Sequence, residues 1–360
     1  MSRCRSGGLG THGTRVGMGN EIVKYNARGD TVAEYNVGRP PAIVEAAGDA
    51  ARFAYAEFFH AEIANENTHR AYRRAVNRFL AWCDAHGLPL HQISPAHVGE
   101  YIRALRIEPR RTAPDETRSR PASKPTRKLH LAAIRQFFDR LVVRHVVILN
   151  PAASVRGPRH QVREGKTPAI SPRQARAVLR RIDTQSVVGL RDRAIVATMI
   201  YTAARAGAVA KLRLGDFYTD GRQWFFRLDE KGGKVRDIPC RHDLEGYVQD
   251  YLRAAAIAGE DPAAPLFRTA QGRTRRLTRN GVSGKDVLRM AKRRFRDAGL
   301  PAARLTCHTF RATTITDLLS QGVPLEDVQH LAGHADPRTT RLYDRRRREV
   351  TRNIVERISI

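Results

Sequence analysis

The sequence predicts a mainly α-helical fold with a small antiparallel β-sheet, arranged as two domains. Apolar residues recur with the 3.6-residue helical period through most of the chain. One stretch, RQWFFRLDEKGGKVRDIPC, instead alternates about Gly232-Gly233 as a β-hairpin does. A basic, Gly/Pro-rich segment without period separates two helical blocks, and 360 residues suffice for two cores. The expected division is an arm at 1–40, a helical domain at 41–150, a linker at 151–168 and a second domain at 169–360 ending in a helical tail.

Residues 1–40 are rich in Gly, Arg and Asn and read as a flexible basic arm, within which Met18 offers a second candidate start. AIVEAAGDAARFAYAEFFHAEIA forms one or two helices. Asn67 or Thr68 then caps THRAYRRAVNRFLAWCDAHG, whose apolar stripe is Ala71, Ala75, Phe79 and Trp82, with Gly87 past its end. Ser94 and Pro95 open a short helix, a polar loop covers 109–126, and RKLHLAAIRQFFDRLVVRH is the next helix. In the second domain Ser171 caps SPRQARAVLRRI, and RDRAIVATMIYTAAR is apolar nearly all round, hence buried, ending in Arg205. After the hairpin, helices resume to the end, and no internal repeat is evident.

The formal charge of +28, from 64 Lys+Arg against 36 Asp+Glu, points to a polyanionic partner. Arginine is spread along the whole chain rather than gathered on one amphipathic helix, which favours nucleic acid over a membrane surface. No apolar run reaches a membrane span, and the N-terminus lacks the apolar core of a secretory signal. Cys4, Cys83, Cys240 and Cys307 form no CxxC pair, so no zinc site is expected and the thiols read as reduced, in a cytosolic protein.

In LTCHTFRATTITDLL, His308 and Arg311 lie three apart, neighbours on one helix face, with Phe310, Ile315, Leu318 and Leu319 as core. Taken alone, such a pair is an ordinary solvated one. In QGVPLEDVQHLAGHADPRTTRLYDRR, Pro324 opens a helix with Leu325, Val328 and Leu331 inward, and Gly333 ends it, leaving His334 on a tight corner. Asp336 and Pro337 start another helix, with Tyr343 two turns in. Lys231 and Lys234 flank the hairpin tip, which has neither the spacing nor the context of a nucleotide-binding P-loop.

In order, Arg205, Lys231, His308, Arg311, His334 and Tyr343 resemble the catalytic set of the tyrosine recombinases, the phage-integrase family. YTAAR resembles that family's Tyr-Thr-Gly-Leu-Arg, EKGGKVRDIP its Gly-Lys-Gly-x-Lys-x-Arg-x-x-Pro hairpin, and LAGHADPRTTRLY its Leu-Gly-His-x-x-x-x-Thr-Thr-x-x-Tyr. The likeness runs from about Ile170 to Tyr343; residues 50–150 are similar by position and charge to the family's core-binding, SAM-like domain. Ala203 and Ala204 replace the common Gly-Leu, and Ala208 stands where the family usually has a carboxylate.

The resemblance implies metal-free, cofactor-free strand exchange on double-stranded DNA through a 3′-phosphotyrosyl link, serving integration, excision or resolution. Tyr343 is the implied nucleophile. Arginine's planar, permanently charged fork suits the two non-bridging oxygens of the scissile phosphate, which assigns them to Arg205 and Arg311. By resemblance Lys231 protonates the leaving 5′-oxygen, and His308 and His334 attend the phosphate. Arg70, Arg73, Arg74, Arg78, Lys124, Arg127, Lys128 and Lys234 are expected to contact DNA, mostly at phosphates. The tail folds on its own domain or, as the resemblance suggests, on a neighbour in a homotetramer. The expected location is the cytoplasm, at the nucleoid. The rivals are a type IB topoisomerase or telomere resolvase, a non-catalytic DNA-binding protein of the same fold, and an RNA-binding protein, for which no signature is present.

Overall fold

The computed structural model describes residues 24–25, 31–32, 39–61, 63, 65–107, 119–160, 165, 167–230, 233–272 and 274–344. The chain divides into two compact units, Met1–Gln161 and Val162–Ile360. Of the arm expected over 1–40, most lies outside the described residues; Lys24–Tyr25 (β1) pairs antiparallel with Thr31–Val32 (β2).

In the first unit, Ala42–Ala46 (α1) and Asp49–Ala61 (α2) are two helices, parted by Gly48 at φ +87°. Glu66–Ala85 (α3) starts one residue before the expected cap. Its N-cap is Asn65, whose side-chain oxygen accepts the backbone N–H groups of Asn67 and Thr68. That assignment satisfies two orphan donors at once. The inward stripe is Ala75, Val76, Phe79, Leu80 and Cys83; Ala71 and Trp82 are only partly covered. Pro95–Ala104 (α4) opens as expected, with Ser94 accepting from His97 N–H. Two-residue strands Arg106–Ile107 (β3) and Arg120–Pro121 (β4) pair across the 109–126 loop, of which 109–118 lies outside the described residues. Lys124–Val143 (α5) begins earlier than predicted, because Ser123 caps it and Pro125 fits its first turn. Helices α2, α3 and α5 meet in an aromatic core: Phe58 and Phe79 stand edge-on to Phe137 and Phe138, at 5.6 and 6.2 Å.

The second unit runs Pro172–Arg181 (α6), Val187–Tyr201 (α7), Ala206–Lys211 (α8), Phe217–Thr219 (β5), Trp224–Glu230 (β6), Lys234–Pro239 (β7) and His242–Ala255 (α9). Arg268–Ala270 (β8), Leu277–Gly281 (β9), Gly284–Asp297 (α10), Cys307–Ser320 (α11), Leu325–Ala332 (α12) and Pro337–Arg341 (α13) follow. The expected hairpin is β6–β7, in register from Phe225↔Pro239 to Glu230↔Lys234, with β5 added on the far side of β6. A second hairpin, β8–β9, interrupts the helices that were expected to resume. Its turn takes Gly272 and Arg275 to positive φ, and its strands, RTA and LTRNG, are too short and too polar to show a strand period. The fold is therefore mainly helical, with small antiparallel sheets.

Helix α7 is buried as predicted, yet it carries an ionic knot. Asp192, 0% exposed, accepts from Arg191 (2.6 Å), Arg293 (2.9 Å) and Arg294 (2.6 Å). Arg191, itself buried, also donates to the Arg268 carbonyl at 2.7 Å. This network ties α7 to α10 and to β8. Among the described residues no helix is long and apolar enough to cross a membrane.

Candidate active site

Helix α7 ends at Tyr201, four residues before Arg205, so the expectation that this arginine closes the helix is corrected. Thr202 folds its hydroxyl back onto the Thr198 carbonyl (2.6 Å) and receives Ala204 N–H (3.3 Å). Ala203 turns the chain at φ +51°, a left-handed conformation that costs a non-glycine residue about 1–2 kcal/mol. Arg205 then becomes the N-cap residue of α8, its carbonyl accepting Ala208 and Val209 N–H. Ala208 is buried on that helix.

Helix α11 carries His308 and Arg311. Arg311 is not a solvated neighbour of His308: it is 1% exposed, among the largest fully buried side chains. Its guanidinium donates to the Ala203 carbonyl and, at 2.5 Å, to the Ala332 carbonyl. One side chain thus joins the turn before Arg205 to the residue that ends α12. His308 stays exposed, but lost hydration, then the guanidiniums of Arg311 and Arg205, hold its pKa below the ordinary value.

Gly333 ends α12 at φ +61°, as the sequence predicted. Behind it His334 is buried; its N–H donates to the Gln329 carbonyl (3.1 Å), and Gln329 Nε2 donates to the His334 carbonyl (3.0 Å). The ring's Nδ1 lies 2.9 Å from Thr340 Oγ1. Burial, followed by Arg311, Arg205, Arg236 and His308, lowers its pKa to about 4. The His334 ring stacks against Tyr343 with centroids 6.0 Å apart and planes 10° from parallel.

Tyr343 was expected on the helix that Asp336 and Pro337 start, but that helix, α13, stops at Arg341 and Tyr343 follows on the turn. Its N–H donates to the Thr340 carbonyl (3.0 Å) and its carbonyl accepts from Thr316 Oγ1 (3.3 Å). It packs against a small cluster of Ile315, Leu319, Val328 and Ala332. The preceding carbonyl, of Leu342, accepts Gly165 N–H at 3.0 Å.

Five of the six expected site residues thus share one neighbourhood. Lys231, the sixth, lies outside the described residues, as does the side chain of Lys234. Strand β7 of their hairpin is anchored to this neighbourhood, since Arg236 donates to the His330 (3.3 Å) and Leu331 carbonyls. Sequence reasoning passed over Arg236, Gln329, Thr316 and Thr340. Thr340 stood inside the quoted LAGHADPRTTRLY and Thr316 inside LTCHTFRATTITDLL, but nothing in their spacing assigned either hydroxyl a partner. No group of three or more His, Cys, Asp or Glu able to hold a metal occurs among the described residues.

The residues expected to meet DNA in the first unit are less uniform than their spacing suggested. Arg70 is exposed but pairs with Glu66 at 2.9 Å, and Arg74 is exposed. Arg73 and Arg78 are half-buried, Arg78 close enough to Tyr101 and His130 to bias their protonation. Lys124 and Lys128 are exposed on the first turns of α5, and Arg127 between them is half-buried.

Comparison with known proteins places this geometry. A family model described as "Phage integrase family" matches residues 169–349, and one described as "Phage integrase, N-terminal SAM-like domain" matches 54–148. A tyrosine recombinase XerD of Ralstonia nicotianae is 28% identical over 291 residues, covering 80% of this chain and 86% of that protein. Among solved structures, XerH site-specific recombinase bound to palindromic difH substrate in a post-cleavage complex superimposes with a TM-score of 0.61 at 16% identity, over 82% of this chain and 84% of that one. A lambda integrase tetramer bound to a Holliday junction gives 0.55 at 16% identity, over 87% and 84%. With both domains matched in order and the catalytic model covering half its length, the chain belongs to the phage integrase family, the tyrosine-type site-specific DNA recombinases.

Proposed function

We propose that this recombinase cuts and rejoins DNA by moving the scissile phosphate onto Tyr343, for the integration, excision or resolution of a DNA element. The carrying observation is Arg311, whose buried guanidinium joins the Ala203 turn before Arg205 to the end of the helix that presents His334. Tyr343 Oη attacks phosphorus and gives up its proton. The bond to the 5′-oxygen breaks, and that oxygen leaves with a proton from Lys231. Arg205 and Arg311 neutralise the two non-bridging oxygens as charge builds. His308 and His334 hydrogen-bond the same phosphate. The 3′-phosphotyrosyl link keeps the phosphodiester's energy, so a second 5′-hydroxyl reverses the attack without ATP.

The first unit and the +28 charge supply the grip on double-stranded DNA. Arg70, Arg73, Arg74, Arg78, Lys124, Arg127, Lys128 and Lys234 are assigned to phosphate contacts. The working form is a homotetramer on two sites, joined through the tail after residue 344, which lies outside the described residues; its place is the cytoplasm, at the nucleoid. The test is a nicked suicide DNA carrying the native site, incubated in EDTA and run on a denaturing gel. A covalent protein–DNA band that disappears in Tyr343→Phe is expected. No band from wild-type protein on DNA it binds would leave a non-catalytic DNA-binding protein.

A further inference from the structure

Thr340 is 0% exposed and touches two members of the site at once. Its hydroxyl lies 2.9 Å from Nδ1 of His334, and its carbonyl accepts the N–H of Tyr343 at 3.0 Å. We propose that Thr340 is a positioning residue for strand transfer: its hydroxyl donates to Nδ1 of His334 and so keeps the ring proton on Nε2, where it can be given to the scissile phosphate. The proposal rests on the phosphotyrosine reading above.

A neutral imidazole has one N–H and one bare nitrogen, and the hydrogen bond made by one nitrogen decides which is which. His334 is held neutral by burial and by the surrounding guanidiniums of Arg311, Arg205 and Arg236. In the DNA-free protein it is therefore a neutral imidazole with one N–H, and not an imidazolium with both nitrogens protonated. A phosphate oxygen only accepts, so the nitrogen facing it must carry the hydrogen. With Nδ1 occupied by Thr340, Nε2 is that nitrogen. A threonine hydroxyl can donate or accept, and donation here is the orientation that leaves Nε2–H. The opposite orientation would set a bare nitrogen against an anion. The same residue holds the backbone of Tyr343, so the nucleophile and the phosphate donor share one support.

The experiment labels histidine with 15N in the full chain and reads the ring tautomer of His334 in DNA-free protein, assigned by its loss in His334→Gln. Wild type should show Nε2–H, with Nδ1 in the shift range of a hydrogen-bonded acceptor. Thr340→Val, equal in shape but without the hydroxyl, should shift His334 toward Nδ1–H and slow formation of the covalent band on suicide DNA roughly ten- to hundredfold, by analogy with the loss of a group that orients a metal-bound histidine. DNA affinity should be unchanged, and Thr340→Ser should keep both tautomer and rate. An Nδ1–H ring in wild type, or full cleavage speed in Thr340→Val, would overturn the proposal. Because the wild-type tautomer is read without DNA or substitution, an Nδ1–H ring there overturns the proposal even where a variant fails to fold. Failure of wild type to form the covalent band overturns the phosphotyrosine reading instead.

Discussion

Asp192→Ala removes the acceptor on which three guanidiniums converge inside the second unit. Arg191 would keep the Arg268 carbonyl, and Arg294 would keep Asp297 at 3.1 Å, but neither interior charge would retain its full complement of acceptors. Removing one partner of a buried ion pair costs about 3–5 kcal/mol, because the remaining charge stays desolvated. Arg293, with its side chain 47% exposed, adds no more than the ~0–1 kcal/mol of a surface pair. For a domain of this size, about 2–4 °C per kcal/mol lowers the melting temperature by roughly 6–20 °C. Asp192→Asn keeps the shape and one acceptor and should lose about half as much. Thermal unfolding followed by circular dichroism, with urea midpoints as a second measure, reads the effect; the transition of the first unit is an internal reference. A loss under ~1 kcal/mol in the alanine variant would refute the reasoning, since it would mean that the carboxylate's own desolvation cancels what it holds.

Arg311→Lys keeps the charge but loses the fork that reaches Ala203 and Ala332 together. Covalent-complex formation should fall roughly 10²–10³-fold, with about 1.5–3 kcal/mol less stability in a urea titration. Gly189→Ala would place a Cβ 1.7 Å from the Asp183 carbonyl oxygen, so the entry to α7 must be rebuilt, and a loss of at least ~1–3 kcal/mol is expected in the same titration. His130 and His334 both titrate near about 4 when folded, below their unfolded value of 6.5. Their contribution is therefore complete above pH ~6.5 and is lost as pH falls through ~4. Acid unfolding should ease in that window, and His130→Gln and His334→Gln should each flatten it. Gly165→Ala puts a Cβ 2.9 Å from the Leu342 carbonyl oxygen and should slow cleavage without weakening DNA binding, as gel shift and suicide-substrate rates compared side by side would report.

What the sequence displayed well was local. Ser94, Ser171 and Asp336 cap where their spacing said they would, because a cap is settled by three or four consecutive residues. Gly333 likewise announced the corner that holds His334. What stayed hidden was tertiary. HxxR spacing puts His308 and Arg311 on one face, yet the structure leaves one exposed and buries the other, since only the arrival of Ala203 and Ala332 creates acceptors for the buried guanidinium. Periodicity marked α7 as interior but gave no hint that Arg191 and Asp192 go inside with it, as their partners lie about a hundred residues on, in α10. Tyr343 slipped off its helix for a similar reason: the contacts of its main chain with Thr316 and of its neighbour Leu342 with Gly165 favour a turn over continued helix.

The hydrogen bond from Gly165 to Leu342 has a mechanical meaning. Gly165 lies four residues beyond the end of the first unit, and Leu342 lies one residue before the tyrosine. A pull along the connecting chain is therefore delivered to the peptide that carries Tyr343 before it reaches α6. That hydrogen bond is neutral and worth about 1 kcal/mol net, so modest tension in the connector would be enough to break it.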